Sequence, residues 1–409
     1  MAQINEFFKI KYGKNKPKEK ETAKAAQSSD MEQFRKKIAR HRTTIFYRTL
    51  MIIAVIVAAT VALYYNYQNM IYTDYTILDE IKYQEATTAR YLDFNGNVLR
   101  YSQDGASAFN MHNDMLWNQT FEMQNPMVDV NGDYVAIGDY KGTKIFIMNS
   151  EGIQGEVNTT LSIQKFCVSG TGIVAALLEE GDVTWVTLFD KTGDTVANIR
   201  TTMAKSGYPI NISISEDSVL LAVSYLYIDS GVISSSIAYY NFGEVGQNEI
   251  DNLVCGYNYS GTIIPEVEFM NKSKSFIVGD GIFGIFTGAQ KPEKTFEIKL
   301  EDEVKSVFHN DEYIGLVYDL GDAVSRLDVY NVEGDLCVSQ EFNLEYSNIL
   351  FVKDLIVIYN SNDCVIYNMQ GTQKFKGMFR NSALTLIPTK SKTKYLLVSG
   401  SRMEEIQLK

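Results

Sequence analysis

One phrase returns along the chain and restricts its fold more than any other feature. An apolar run ends in an aromatic residue or Met, followed by Asp or Asn, two variable residues and Gly. It stands as "MNSEG" (Met148–Gly152), "FDKTG" (Phe189–Gly193), "YNVEG" (Tyr330–Gly334) and "YNMQG" (Tyr367–Gly371). A second kind of turn precedes each copy: "DFNGN" at Asp93–Asn97, "DVNGD" at Asp129–Asp133, "SGTG" at Ser169–Gly172, "SED" at Ser215–Asp217 and "HND" at His309–Asp311. Between the turns lie short runs rich in Val, Ile, Tyr and Phe, the composition of strands. The turns fall about 36 to 56 residues apart, and roughly eight units fit between Thr88 and Lys409. A unit of about 40 residues holding four short strands is a propeller blade. Alternation along each strand would give every sheet two apolar faces for its neighbours to cover.

The expected fold is therefore an all-β propeller of eight four-stranded blades over 88–409, with seven blades as the alternative. An unclosed β-solenoid would show shorter and more uniform repeats. The last unit stops after three strands, and "YTILDEIKY" (Tyr75–Tyr83) is expected to supply the missing outer strand and close the ring. The Asn-Gly pairs in "DFNGN" and "DVNGD" predict type I′ hairpin turns rather than calcium loops, since the full ligand series and its distal Glu are lacking.

The second constraint is an uncharged stretch from Thr49 to Thr73, almost wholly apolar from Leu50 to Tyr65. With Ile45 and Phe46 it reaches about 20 residues, enough for a ~30 Å hydrocarbon core. Tyr47 marks one edge and Tyr64, Tyr65 and Tyr67 the other. A cleaved signal peptide would have a shorter leader and an A-x-A site after the apolar run. The reading is a retained span over 47–67, followed by a tether at 68–87. Residues 1–48 carry 13 Lys+Arg against 5 Asp+Glu, and the remainder 25 against 45. A basic head before the span predicts a cytoplasmic N-terminus and an extracytoplasmic body. Residues 1–29 read as a disordered basic tail. Residues 30–46 read as a basic amphipathic helix whose Arg35, Lys36, Lys37, Arg40 and Arg42 contact the inner leaflet, together with Arg48, which reaches back from the start of the span. No groove-reading motif accompanies this charge, so nucleic acid is not an expected partner.

The "LFDKTGDTVANI" and "VYNVEGDLCVSQ" phrases are similar to the repeats of quinoprotein-type and outer-membrane-assembly-type propellers. The whole plan resembles an uncharacterised family of single-pass, membrane-anchored β-propeller proteins from Gram-positive bacteria. That resemblance covers nearly the full chain and implies an envelope location at the cell membrane. It implies no activity.

Catalytic signatures are missing from the sequence. The three histidines, His41, His112 and His309, are isolated, and no H-E-x-x-H, G-x-S-x-G or P-loop pattern occurs. "GDGIFG" (Gly279–Gly284) fits G-x-G-x-x-G, but a strand follows it where a dinucleotide site needs a helix; it reads as a hairpin turn. Cys167, Cys255, Cys337 and Cys364 have no metal-ligand spacing and read as buried free thiols. Trp117 and Trp185 read as packing residues on outer strands. No cofactor or metal is expected.

One pattern points outward. The turn between the second and third strands of successive units carries an acid: Asp104, Asp139, Asp182, Asp229, Asp280, Asp319 and Asp363. Asp suits tight hairpins for local reasons. Gathered on one end of a propeller, the same acids would form a binding face for a basic partner or a cation. The version at Tyr225–Ser236 is longer, as a contact loop would be. The expected function is a non-enzymatic scaffold for protein interaction or envelope assembly, its partner an envelope protein or wall polymer. The alternatives are a propeller-type envelope enzyme (quinone-dependent dehydrogenase, glycosidase or lyase) and a ligand sensor signalling through the span.

Overall fold

A computed structural model describes residues 18–68, 70–83, 89–181, 183–203 and 206–409. The chain forms two units, Met1–Met70 and Ile71–Lys409. In the first, a continuous helix spans Lys18–Gln68. It begins inside the segment whose composition points to disorder and runs unbroken through the segments read as surface helix and span. Phe34–Tyr65 is the one stretch among the described residues that is helical, long and apolar enough to cross a membrane. Leu50, Ile52, Val55 and Val61 on it are exposed. Thr49 and Thr60, inside the apolar run, donate their hydroxyls to the carbonyls of Ile45, Phe46 and Val57. Their polar groups are thus satisfied within the helix itself, as a hydrocarbon surrounding demands.

The second unit is an eight-bladed β-propeller of four-stranded antiparallel sheets. Blades 1 to 7 take their strands in sequence from 90–120, 126–158, 162–202, 208–259, 266–299, 304–342 and 348–378. Blade 8 combines the two ends of the unit. Ala383–Pro388, Lys394–Ser399 and Arg402–Leu408 are completed by Tyr75–Lys82, which pairs with the last strand in the register Tyr75↔Leu408, Ile77↔Ile406 and Ile81↔Met403. The ring is closed by the predicted strand. First strands of several neighbouring blades contact one another, which places them innermost around the axis.

Eight clusters of buried side chains lie at the eight blade-to-blade seams. Phe94, Leu99, Val135 and Ile137 fill the seam of blades 1 and 2. Tyr75, Val357, Leu397 and Ile406 fill that of blades 7 and 8. Strict alternation does not describe the middle strands. Leu355–Tyr359 is buried at all five positions, while the outer strand Glu293–Lys299 has no fully buried residue. Leu355–Tyr359 is a middle strand covered on both faces by neighbouring blades, so it is apolar throughout. The outer strand has a neighbour on one side only and meets solvent along its free edge.

The antiparallel meander sends the 2–3 turns and the links between blades to one end of the propeller, and the 1–2 and 3–4 turns to the other. Asn95 and Gly96 both have positive φ, the predicted type I′ turn. In blade 2 the turn falls one residue later, at Gly132–Asp133, and only Gly132 has positive φ. The four thiols are free, but only Cys167 and Cys364 are buried; Cys255 is half-buried and Cys337 exposed. Trp117 lies on the outer strand Met115–Thr120, whereas Trp185 lies on a third strand, Val183–Phe189.

Candidate functional site

The recurring phrase builds the 3–4 turns. Its Asx oxygen accepts the backbone N–H two residues on: Glu151 to Asn149 (2.9 Å), Thr192 to Asp190 (2.9 Å), Glu333 to Asn331 (3.0 Å) and Gln370 to Asn368 (3.1 Å). The same oxygen of Asp190, Asn331 and Asn368 also accepts the N–H four residues on. The glycine has φ of 114°, 96°, 93° and 75° in the four copies, a conformation that costs other residues energy. Blade 1 holds a fifth copy that the phrase did not reveal. Asn110 accepts the N–H groups of His112 and Asp114, and Asn113 takes the glycine position at φ 62°.

The acids of the 2–3 turns lie together at the opposite end, as expected, with Asp182 outside the described residues. They divide by what their carboxylates do. Asp139 accepts the N–H groups of Gln124 (3.1 Å) and Asn125 (2.7 Å), fastening the link into its own blade. Asp319 accepts the N–H of Gly321 (2.9 Å) and pairs with Lys305 (3.3 Å), which holds its carboxyl below the usual range. Asp229 takes the hydroxyl of Ser230. The carboxylates of Asp104, Asp280 and Asp363 have no hydrogen bond or ion pair among the described residues. These three are not explained by turn chemistry.

Asp280 opens onto a cleft of about 600 Å³ between blades 5 and 6. Five carboxylates line it, Glu266, Asp280, Glu301, Asp302 and Glu303, against the single ammonium of Lys305. Lys305 is occupied by Asp319, and Arg326 binds Asp302 at 3.0 Å and Asp328 at 3.2 Å. The cleft is therefore lined by an excess of carboxylates, and both Lys305 and Arg326 are already paired.

Behind it a polar chain crosses the innermost strands of four blades. Asp129 accepts the Val168 N–H (2.6 Å); Lys165 donates to Asn211 (2.7 Å); Asn211 donates to the Pro265 carbonyl (2.8 Å); Ser213 accepts the Phe269 N–H (2.9 Å). Glu266 and Glu268 share one side of the strand Glu266–Phe269. Burial raises the Glu268 carboxyl to about 8, Glu266 adding to the effect and Lys165 opposing it. Burial likewise raises Asp129 and Glu266. Sequence reasoning missed this network, because its members are single polar residues in unrelated strands. Among the described residues, no group of three His, Cys, Asp or Glu side chains is placed to hold a metal ion.

The six basic residues expected at the inner leaflet, Arg35, Lys36, Lys37, Arg40, Arg42 and Arg48, all lie on the helix and are exposed. His309 ends a first strand, edge-on to Phe276, and burial lowers its pKa. His112 sits in a turn. "GDGIFG" is the hairpin at Asp280–Gly281, as predicted.

Comparison with solved structures recovers propellers. Sqt1 from Chaetomium thermophilum, in complex with the N-terminus of ribosomal protein L10, is 10% identical with a TM-score of 0.52, covering 82% of this chain and 100% of that one. BamB from Moraxella catarrhalis is 13% identical with a TM-score of 0.48, at 82% and 100% coverage. Such identities speak to fold alone. No curated protein matches the chain. Residues 66–408 match the family of unknown function DUF5711, and the chain belongs to that family.

Proposed function

We propose that this protein is a non-enzymatic scaffold, anchored in the cell membrane by its helix and holding its propeller outside. There the acidic end of the propeller receives a basic surface of an envelope protein or polymer. The observation that carries this reading is the set of three carboxylates, Asp104, Asp280 and Asp363, without partners among the described residues at one end of the ring. An unpaired carboxylate at a tight turn contributes little to the fold and is available to a cation from another molecule. The excess of Lys and Arg before the span supports a cytoplasmic N-terminus. Protease added to whole protoplasts should then degrade the propeller, and crosslinking in intact cells should recover one reproducible basic partner. A protected propeller removes the topology; irreproducible adducts remove the scaffold.

A second reading, a glycosidase or lyase, is favoured by one observation. Glu266 and Glu268 lie on one side of an inner strand, and Glu268 holds a proton at neutral pH. Such chemistry needs a carboxyl that holds a proton beside a second carboxyl group, and Glu266 stands two residues away on the same side. Glu268→Gln abolishing turnover of a wall glycan would support it; turnover that is absent in the native protein removes it.

A further inference from the structure

We infer that the cleft between blades 8 and 1, at the end of the propeller opposite the acid turns, binds a small organic amine with an apolar body. Its volume is about 650 Å³, within the range of small-ligand sites. The site arises from how the ring closes. The strand Tyr75–Lys82 carries a β-bulge between Ile77 and Asp79. Before the bulge, Tyr75 and Ile77 pack on the blade 7 side with Ile406 and Leu408. After it, Asp79 and Ile81 point to the blade 1 side, opposite Glu405 and Met403. Without the extra residue, period-two alternation would send Asp79 and Ile81 the same way as Ile77.

Blade 1 leaves the room. The seam of blades 8 and 1 buries Tyr91, Val98, Phe109, Ile387, Leu396, Val398 and Met403, half as many as the seam of blades 7 and 8 among the described residues. Tyr91 buries a hydroxyl there with no hydrogen-bond partner among the described residues. The floor of the cleft is apolar, built by Ile81, Met111, Leu396 and Met403.

The charges choose the ligand. Lys394 and Glu405 neutralise each other at 3.0 Å. Asp79 accepts only the Glu80 N–H (2.9 Å), and Asp93 only the Gly96 N–H (2.8 Å); neither has a cation among the described residues. Lys390 stands exposed at the rim, where solvent screens its charge, and does not cancel the two carboxylates.

The full chain in lipid nanodiscs, labelled at its methionine methyls, provides the assay. Phenethylamine should shift the Met111 and Met403 methyls saturably, with 3-phenylpropionate and phenethyl alcohol binding at least tenfold more weakly. Asp79→Asn together with Asp93→Asn should cost at least tenfold in affinity while leaving thermal unfolding unchanged. No saturable shift up to about 10 mM phenethylamine overturns the inference. So does equal binding of the carboxylate, or an unaffected double variant. This site is independent of the acidic end, and its failure leaves the scaffold reading untouched.

Discussion

At one end of the propeller, Asn149, Asp190, Asn331 and Asn368 turn their side-chain oxygens onto the backbone of their own turns. At the other end, Asp104, Asp280 and Asp363 sit in equally tight turns, and their carboxylates bond nothing among the described residues. Composition alone would treat both sets as turn residues. The difference lies in the backbone just beyond each Asx: a donor two residues on and a positive-φ position three residues on make the oxygen structural. Where that geometry is missing, the same residue type is left to the solvent or to a partner.

The comparison is broken most severely at a glycine of the structural set. A Cβ on Gly193, where φ is 96°, would meet the Glu156 carbonyl oxygen at 2.2 Å. Gly193→Ala should cost about 3 kcal/mol or more in chemical denaturation, as strain and clash act together. Between the two ends, Glu268 makes the fold depend on pH. Its carboxyl sits at about 8 in the folded chain against an ordinary 4.5, so the folded state keeps a proton that the unfolded chain releases. Stability contributed by this group is full below about pH 4.5 and is lost as pH rises through about 8. Glu268→Gln should remove that decline, and the gap in Tm between variant and native protein should widen from about pH 5 to about pH 8 and then level off. A smaller loss is expected from Asn331→Ala, which deletes two side-chain bonds to backbone N–H groups: about 1–2 kcal/mol. Least of all should follow from Asp104→Asn, Asp280→Asn and Asp363→Asn together, within about 0.5 kcal/mol each. A large destabilisation by the triple variant would return these acids to the structural set.

Much of this was legible in the residues. Four copies of one phrase announced the blades, and "YTILDEIKY" the closing strand, because turns and strand pairing are local chemistry. The fifth copy escaped because Asn113 replaces the glycine while tolerating the same φ. Full burial of Leu355–Tyr359 depends on neighbouring blades, which no single strand reports. Asp129, Lys165 and Glu268 stand on blades 2, 3 and 5 and meet only once the ring has wrapped, so no spacing rule could join them. The exposure of Cys337 and the cleft at the closing seam likewise arise from packing, the latter from one extra residue in one strand.

The central claim, that unpaired turn acids receive a basic partner, is tested most directly by photo-crosslinking in intact cells. The crosslinker replaces Tyr140, exposed at the acidic end. The account predicts one reproducible adduct that disappears in the Asp104→Asn, Asp280→Asn, Asp363→Asn variant and persists in Asn331→Ala. An adduct that survives neutralisation of the three acids would contradict it.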